Sequence, residues 1–457
     1  MIGYTLLTKK RIVFIVILTC TYVQLFAFAQ KLDSLPTISE IPVKLPKTKN
    51  SFIERAEMNA DPTGFKIRGT KGWSWTPEQY LAEIPVLAKY KMNFMMNCYI
   101  SMFSQPLPAD SLWKLTTTKN EWWLPMPDAK KRAYEKVFAK AKEYGISFCF
   151  GVHAQLASPR PANLSSEKDF EAIWQHYAWA QSKGIHWFSV PLDDVSEKDT
   201  RISGEEHARF VNKILARLRE KDKDAQMIFC PTYYHADPKV PKEKAYLEGI
   251  AKILDKDVYV FWTGKSVLPT TITVADAEAF KNIVKHRMIL WDNYPCNDAW
   301  KTMHLGPLTG RDRLLSTVID GYMANPQFQQ NEINRIPEFT IADYAYDPIG
   351  YDPETSIGQA IVHQSDNVKQ QQALLEITRL YSGKIIRNVS FNGMLDNANR
   401  IMAVPFSRQA ADAYLAYVKK VQADFRAAFP NSHNATKKTL SENIHQFEIG
   451  YTKKYNK

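Results

Sequence analysis

The sequence predicts an α/β fold of the (β/α)8, TIM-like barrel type with a C-terminal helical domain. Short apolar segments recur at intervals of about 30 to 50 residues, and helical patterns separate most of them. Eight such segments match the strand number of this barrel. A chain of 457 residues has room for a barrel of about 250 residues and a further domain.

The first 29 residues are expected to be a signal peptide. Lys9, Lys10 and Arg11 precede an apolar stretch, and Ala27-Phe28-Ala29 supplies the small-x-small cleavage pattern before Gln30. A retained membrane anchor is the alternative, but about fifteen apolar residues fall short of the roughly 20 that a spanning helix needs. We therefore expect export to the periplasm or the extracellular space, with no stable membrane span after cleavage. Cys20 is a weak candidate for a lipid-attached cysteine.

The remaining chain is expected to divide into four regions. Residues 30–64 are polar and aperiodic, which predicts a tether. The barrel is expected over residues 65–353, a helical domain over residues 354–430 and a polar tail over residues 431–457.

The eight expected strands are short runs rich in aromatic and β-branched residues. They are Phe65–Gly69, Phe94–Tyr99, Ser147–Val152, Trp187–Leu192, Met227–Pro231, Val258–Trp262, Arg287–Trp291 and Gly321–Met323. Helical patterns lie between most of them, for example over Lys130–Tyr144, Glu167–Lys183 and Glu205–Lys221. A doubly wound open sheet is the alternative, but no glycine-rich phosphate loop follows the first strand.

Charge and cysteine content restrict the partners. Removal of the three basic residues of the leader lowers the formal net charge from +11 to +8, and this excess is spread over helical segments. Nucleic-acid binding is therefore not expected, and a mild attraction to anionic glycans or cell surfaces is a better match. Cys149 and Cys230 lie in apolar strand-like runs, which predicts buried free thiols rather than a zinc site.

Polar and aromatic residues are concentrated where the expected strands end, and barrel enzymes carry their functional groups there. The segments after the fourth to eighth strands are Asp193-Asp194, Thr232-Tyr233-Tyr234, Trp262-Thr263-Gly264, Trp291-Asp292-Asn293-Tyr294 and Asn325.

The adjacent carboxylates Asp193 and Asp194 are the most informative of these residues. Two carboxylates that lean into one pocket repel, so one keeps its proton to a higher pH. A protonated acid beside an ionised carboxylate is what glycoside hydrolysis requires. The alternative is that both residues begin a solvated loop or cap the next helix.

Taken in order, the strand-end motifs resemble the catalytic barrel of the O-GlcNAcase-type β-N-acetylglucosaminidases, glycoside hydrolase family 84. The resemblance extends from about Phe65 to Pro353. Its motifs are Asp193-Asp194, Cys230-Pro231-Thr232-Tyr233-Tyr234, Trp262-Thr263-Gly264, Trp291-Asp292-Asn293-Tyr294-Pro295-Cys296-Asn297-Asp298, His304-Leu305-Gly306-Pro307-Leu308-Thr309-Gly310-Arg311-Asp312 and Asn325-Pro326.

The resemblance implies a retaining β-N-acetylhexosaminidase that acts on a glycan or glycoconjugate, and the leader predicts that this enzyme is exported. No cofactor or metal is expected. The 2-acetamido oxygen of the substrate attacks the anomeric carbon in that family, which gives an oxazoline. Asp193 would orient the acetamido N–H, and Asp194 would be the general acid and then the general base. The implied substrate-binding residues are Gly72, Cys230, Tyr234, Trp291, Asn293, Asp298 and Asn325.

Two departures from the family pattern lie on the opposite wall of the expected pocket. Lys71-Gly72-Trp73-Ser74-Trp75 stands where the family has Glu-Gly-Phe-Tyr-Gly, and the family lysine after the second strand has no counterpart in residues 97–101. We therefore expect altered specificity at the C3 and C4 hydroxyls. Trp73 and Trp75 are expected to stack on sugar rings, and Lys71 to face either an acidic neighbouring sugar or solvent.

Two other functions are consistent with these residues. One is a glycosidase that acts on an atypical amino sugar or linkage through the same carboxylates. The other is a non-catalytic glycan-binding barrel, which the missing lysine would favour.

Overall fold

The computed structural model describes residues 43–46, 51–58, 62–73, 75–99, 120–156, 158–195, 203–297, 303–327, 331–382, 393–405 and 407–455. Within these residues, eight parallel strands close into a barrel in chain order, with the first strand paired to the last. The predicted (β/α)8 class is confirmed. The strands are β1 (Ile67–Lys71), β2 (Phe94–Met96), β3 (Ser147–Gly151), β4 (Trp187–Pro191), β5 (Gln226–Cys230), β6 (Tyr259–Trp262), β7 (Arg287–Pro295) and β8 (Gly321–Asn325).

Helices follow the strands around the outside of the barrel. Several begin with a side chain that accepts a hydrogen bond from the helix backbone, as Ser166 and Ser203 do. The helices that accompany the barrel are α1 (Phe52–Met58), α2 (Pro77–Lys89), α3 (Asp128–Glu143), α4 (Glu167–Ser182), α5 (Gly204–Arg219), α6 (Pro241–Ile253), α7 (Val274–Val284) and α8 (Asn331–Tyr346).

The first strand begins two residues later than the sequence pattern predicts. Phe65 instead donates its backbone N–H to the carbonyl of Ala345 at the end of α8 and packs against the ring of Tyr322. Residues 67, 69 and 71 then share one face of β1, because side chains alternate along a strand. Ile67 packs on the cluster of side chains that fills the barrel, so Lys71 also faces the barrel interior.

The C-terminal region is wholly helical in its described part. Its helices are α9 (Pro353–Gln364), α10 (Val368–Leu380), α11 (Gly393–Ala403), α12 (Arg408–Ala428) and α13 (Asn434–Tyr455). None of the helices in the described ranges is both long enough and apolar enough to cross a membrane.

Two regions that the sequence predicts to be a tether and a polar tail contain helices. The segment expected as a polar tail forms α13, because Leu440, Ile444 and Phe447 make a buried stripe that packs on the neighbouring helices. Polar residues between these three positions obscure the stripe in the sequence. The segment expected as a tether likewise contains α1, whose Phe52 packs edge-on against Phe339 of α8.

Candidate active site

A cavity of about 230 Å³ opens among the C-terminal ends of the strands. Ligand pockets commonly measure about 300–1,000 Å³, so this one suits a single sugar residue better than an oligosaccharide. Aromatic, polar and charged side chains share its wall. They are Lys71, Trp73, Tyr99, Asp193, Asp194, Cys230, Tyr234, Thr263, Val267, Leu268, Trp291, Asn293, Cys296 and Asn325.

Asp193 is the buried member of the carboxylate pair, with 5% of its surface exposed. The Tyr99 hydroxyl donates a hydrogen bond to its Oδ2. Burial, followed by the negative charge of Asp193, raises the pKa of Tyr99 well above its usual value, so this hydroxyl remains the donor. Asp193 Oδ1 has no hydrogen-bond partner in the described part of the chain. A donor on a bound ligand would satisfy this acceptor.

His153 holds the backbone of Asp193 through a hydrogen bond. Its Nδ1 accepts the backbone N–H groups of Gln155 and Leu156 at 3.2 and 3.0 Å, which leaves the proton on Nε2. Nε2 lies 2.8 Å from the Asp193 carbonyl oxygen and donates to it. Burial lowers the pKa of His153, in agreement with a neutral ring. His153 is therefore a positioning residue for Asp193.

Asp194 occupies a different environment from its neighbour. It is exposed at the cavity mouth, and its φ of 54° is in the left-handed region. That backbone conformation breaks the strand alternation, so both carboxylates line one cavity. The Tyr234 hydroxyl donates to Asp194 Oδ1 at 2.9 Å, and burial followed by the Asp194 charge raises the Tyr234 pKa. Asp194 is therefore accessible both from the cavity and from solvent.

Further wall residues come from β5, β7 and β8. Cys230 and Trp291 are 1% and 5% exposed, and burial raises the pKa of the Cys230 thiol well above its usual value. Asn325 Nδ2 donates to Asn293 Oδ1 at 2.9 Å, and Asn293 Nδ2 donates to the Val267 carbonyl at 2.8 Å. These bonds fix both amides and leave Asn325 Oδ1 unpaired among the described residues.

One predicted site residue that the structure describes, Gly72, is not among those that line the cavity. Gly72 faces the ring of Tyr80, where a Cβ would lie 2.5 Å from ring carbons, so close packing requires glycine at this position. Asp298 lies outside the described residues, as does Ser74.

The expectations for Trp75 and Lys71, on the wall that departs from the family pattern, need correction. Trp75 is buried edge-on against Tyr80 rather than placed to stack on a sugar in the cavity. Trp73 does line the cavity. Lys71 does not face solvent, because β1 extends two residues beyond its predicted end and carries Lys71 into the barrel, where it is 1% exposed.

Sequence reasoning missed the roles of Tyr99 and His153. His153 follows β3, and a histidine after a barrel strand was a usable signal. Tyr99 lies three residues beyond the short β2, and its reach to Asp193 depends on barrel closure. No group of three or more His, Cys, Asp or Glu side chains in the described ranges is arranged to hold a metal.

Comparison with solved structures shows the same fold. The chain is similar to the structure titled CpGH84B, with a TM-score of 0.64 and 21% identity over 86% of this chain and 68% of that one. It is also similar to a mutant O-GlcNAc hydrolase of Thermobaculum terrenum, with a TM-score of 0.64 and 21% identity over 85% of this chain and 82% of that one.

Comparison with protein families identifies the family of the chain. The family described as NAGidase, beta-N-acetylglucosaminidase, matches residues 67–379, which contain the barrel and the cavity described above. The matched segment is more than half of the chain, and the resemblance to glycoside hydrolase family 84 is confirmed. The protein is therefore a glycoside hydrolase that belongs to the β-N-acetylglucosaminidase family.

Proposed function

We propose that the protein is an exported, retaining β-N-acetylhexosaminidase that releases N-acetylglucosamine-type sugars through an oxazoline. The observation that carries the proposal is the arrangement of the adjacent carboxylates: Asp193 is buried and hydrogen-bonded, whereas Asp194 is exposed at the mouth of the same cavity. The two environments suit two different roles.

Asp193 is suited to bind the acetamido group. Its Oδ2 is held by Tyr99. Its Oδ1, which lies 3.6 Å from His153 Nε2 and has no hydrogen-bond partner among the described residues, is available to accept the acetamido N–H. An ionised Asp193 would also stabilise the positive charge that develops on this nitrogen when the acetamido oxygen attacks the anomeric carbon. The internal oxygen then replaces a carboxylate nucleophile.

Asp194 is suited to proton transfer. As the C1–O bond breaks, its carboxylic acid would protonate the departing oxygen, and the resulting carboxylate would take a proton from the water that opens the oxazoline. Tyr234, at 2.9 Å, fixes the orientation of this carboxyl group. Water attacks the anomeric carbon on the face opposite to the oxazoline oxygen, which is the face that the leaving group has left. The two inversions together restore the starting anomeric configuration.

The experiment for this proposal compares two glycosides with the same aryl leaving group. One carries a 2-acetamido group and the other a 2-hydroxyl. We expect kcat/KM to fall by several orders of magnitude for the 2-hydroxyl glycoside, because an internal nucleophile gives effective molarities of about 10⁵–10⁸ M. Comparable rates on both glycosides would exclude substrate assistance and favour a carboxylate nucleophile.

The export component rests on the N-terminal pattern of residues 1–29. A mature chain that begins at Gln30 is the expected result of N-terminal sequencing after expression with the native leader. A mature chain that retains the apolar segment would exclude cleavage.

A further inference from the structure

Lys71 is the charged residue of the cavity wall that the proposed mechanism does not use. Its Nζ lies 4.2, 4.3 and 3.9 Å from the ring centroids of Trp73, Tyr99 and Trp291. Aromatic faces of this kind attract a cation. In the described part of the chain, Nζ makes no hydrogen bond and no ion pair.

The protein compensates the charge of Lys71 only in part. Burial lowers the pKa of this ammonium, and the side chains of Cys98 and Asp193, in that order, oppose that effect. Asp193 Oδ2 already accepts from Tyr99, and no ion pair joins Asp193 to Lys71 among the described residues. The nearby Cys230 thiol stays neutral because burial raises its pKa. A buried cation without an anionic hydrogen-bond partner is costly.

A ligand that fills the cavity displaces the water that Lys71 would otherwise contact. The ligand must then offer an acceptor to the ammonium, or the buried donors are left unpaired. A carboxylate meets this need best, since charge-assisted hydrogen bonds are about twice as strong as neutral ones. The acceptor must belong to the sugar inside the cavity, because Lys71 is 1% exposed.

We propose that the preferred substrate is an N-acylated amino sugar that itself carries a carboxylate, and that Lys71 binds this carboxylate. This inference rests on the proposed hydrolysis of N-acetylhexosaminides and specifies the substrate class for the same site. Trp73 and Trp291 flank the ammonium, so the carboxylate would lie beside their rings on the β1 and β7 side of the cavity.

The test uses aryl β-glycosides in matched pairs with the full-length mature protein. N-acetylglucosamine carries either a 3-O-lactyl carboxylate or a C6 carboxylate, and each acid is compared with its primary carboxamide, which has nearly the same shape without charge. We expect kcat/KM to be about tenfold higher for at least one acid than for its amide. In Lys71→Met, that acid-to-amide ratio should fall to about one.

Lys71→Met should fold, because removal of a poorly compensated buried charge is commonly neutral or stabilising. Lys71→Gln is the second variant. It retains a donor without the charge, and it should also lose the acid preference.

Two results would overturn the inference: wild-type protein that prefers neither acid, or an acid preference that persists in both Lys71 variants. The unsubstituted N-acetylglucosamine glycoside separates this inference from the proposed function. Its hydrolysis without any acid preference contradicts the role of Lys71 alone. If no glycoside is hydrolysed, the proposed function fails, and calorimetric binding of each acid and its amide to wild type and Lys71→Met still measures the preference.

Discussion

Asp194→Asn is expected to lower kcat/KM by about 10²- to 10⁴-fold on glycosides with poor leaving groups, the usual contribution of general acid catalysis. The loss should be smaller on activated aryl glycosides, because a good leaving group departs without a proton. Asp194 is proposed as the acid because it is exposed at the mouth of the cavity. Steady-state kinetics over a series of leaving-group pKa values measures the difference.

The matched control for this variant is Asp222→Asn, which changes a carboxylate paired with His186 away from the cavity. This control should leave kcat/KM unchanged across the series. An equal loss on all leaving groups in Asp194→Asn would show that Asp194 is not the acid.

Asp292→Ala is expected to lower the free energy of unfolding by about 3–5 kcal/mol, the usual effect of removing one partner from a buried ion pair. Arg311 donates to Asp292 Oδ2 and Oδ1 at 2.7 and 2.6 Å, and Tyr322 also donates to Oδ2. Loss of the carboxylate leaves a buried guanidinium without its anion. Chemical denaturation of both proteins measures the change.

The partly exposed pair of Arg287, at the start of β7, and Asp320, directly before β8, provides a control, with Nη2 and Oδ1 3.0 Å apart. Asp320→Ala should lower the free energy of unfolding by less than about 1 kcal/mol. Adding Arg311→Met to Asp292→Ala should recover part of the loss, since the unpaired charge is then absent. Similar effects of Asp292→Ala and Asp320→Ala would contradict the structural importance of the buried pair.

The barrel could be predicted from the sequence because its determinants are local. Apolar runs such as those around Phe188 and Phe229 mark buried strands, and the helical patterns between them mark the outer layer. Strand limits were less accurate because they depend on tertiary contacts. Contact of Phe65 with Ala345 and Tyr322 delays the start of β1, and no local pattern reports that contact.

The carboxylate pair of the site could also be found in the sequence. Asp193 and Asp194 are informative without a structure because two charges directly after a buried strand are costly. Their different environments depend on partners far along the chain, Tyr99 for Asp193 and Tyr234 for Asp194.

Lys71 shows where sequence reasoning failed. A lysine beside a glycine and two tryptophans is compatible with an exposed loop, and lysines are almost never fully buried unless they are paired. Its burial follows from two facts that only the folded chain reveals. One is the two-residue shift of β1, and the other is the approach of Tyr99, which follows β2, and of Trp291 on β7.

The most direct test of the account is binding of a sugar-fused thiazoline, a stable mimic of the oxazoline, to the wild-type protein and to Asp193→Asn. Mimics of high-energy states bind about 10²- to 10⁸-fold more tightly than substrates. We predict that calorimetry shows at least 10²-fold tighter binding of the thiazoline than of free N-acetylglucosamine, and that Asp193→Asn loses most of this advantage. Equal affinity of the wild-type protein for the two ligands would contradict catalysis through an oxazoline.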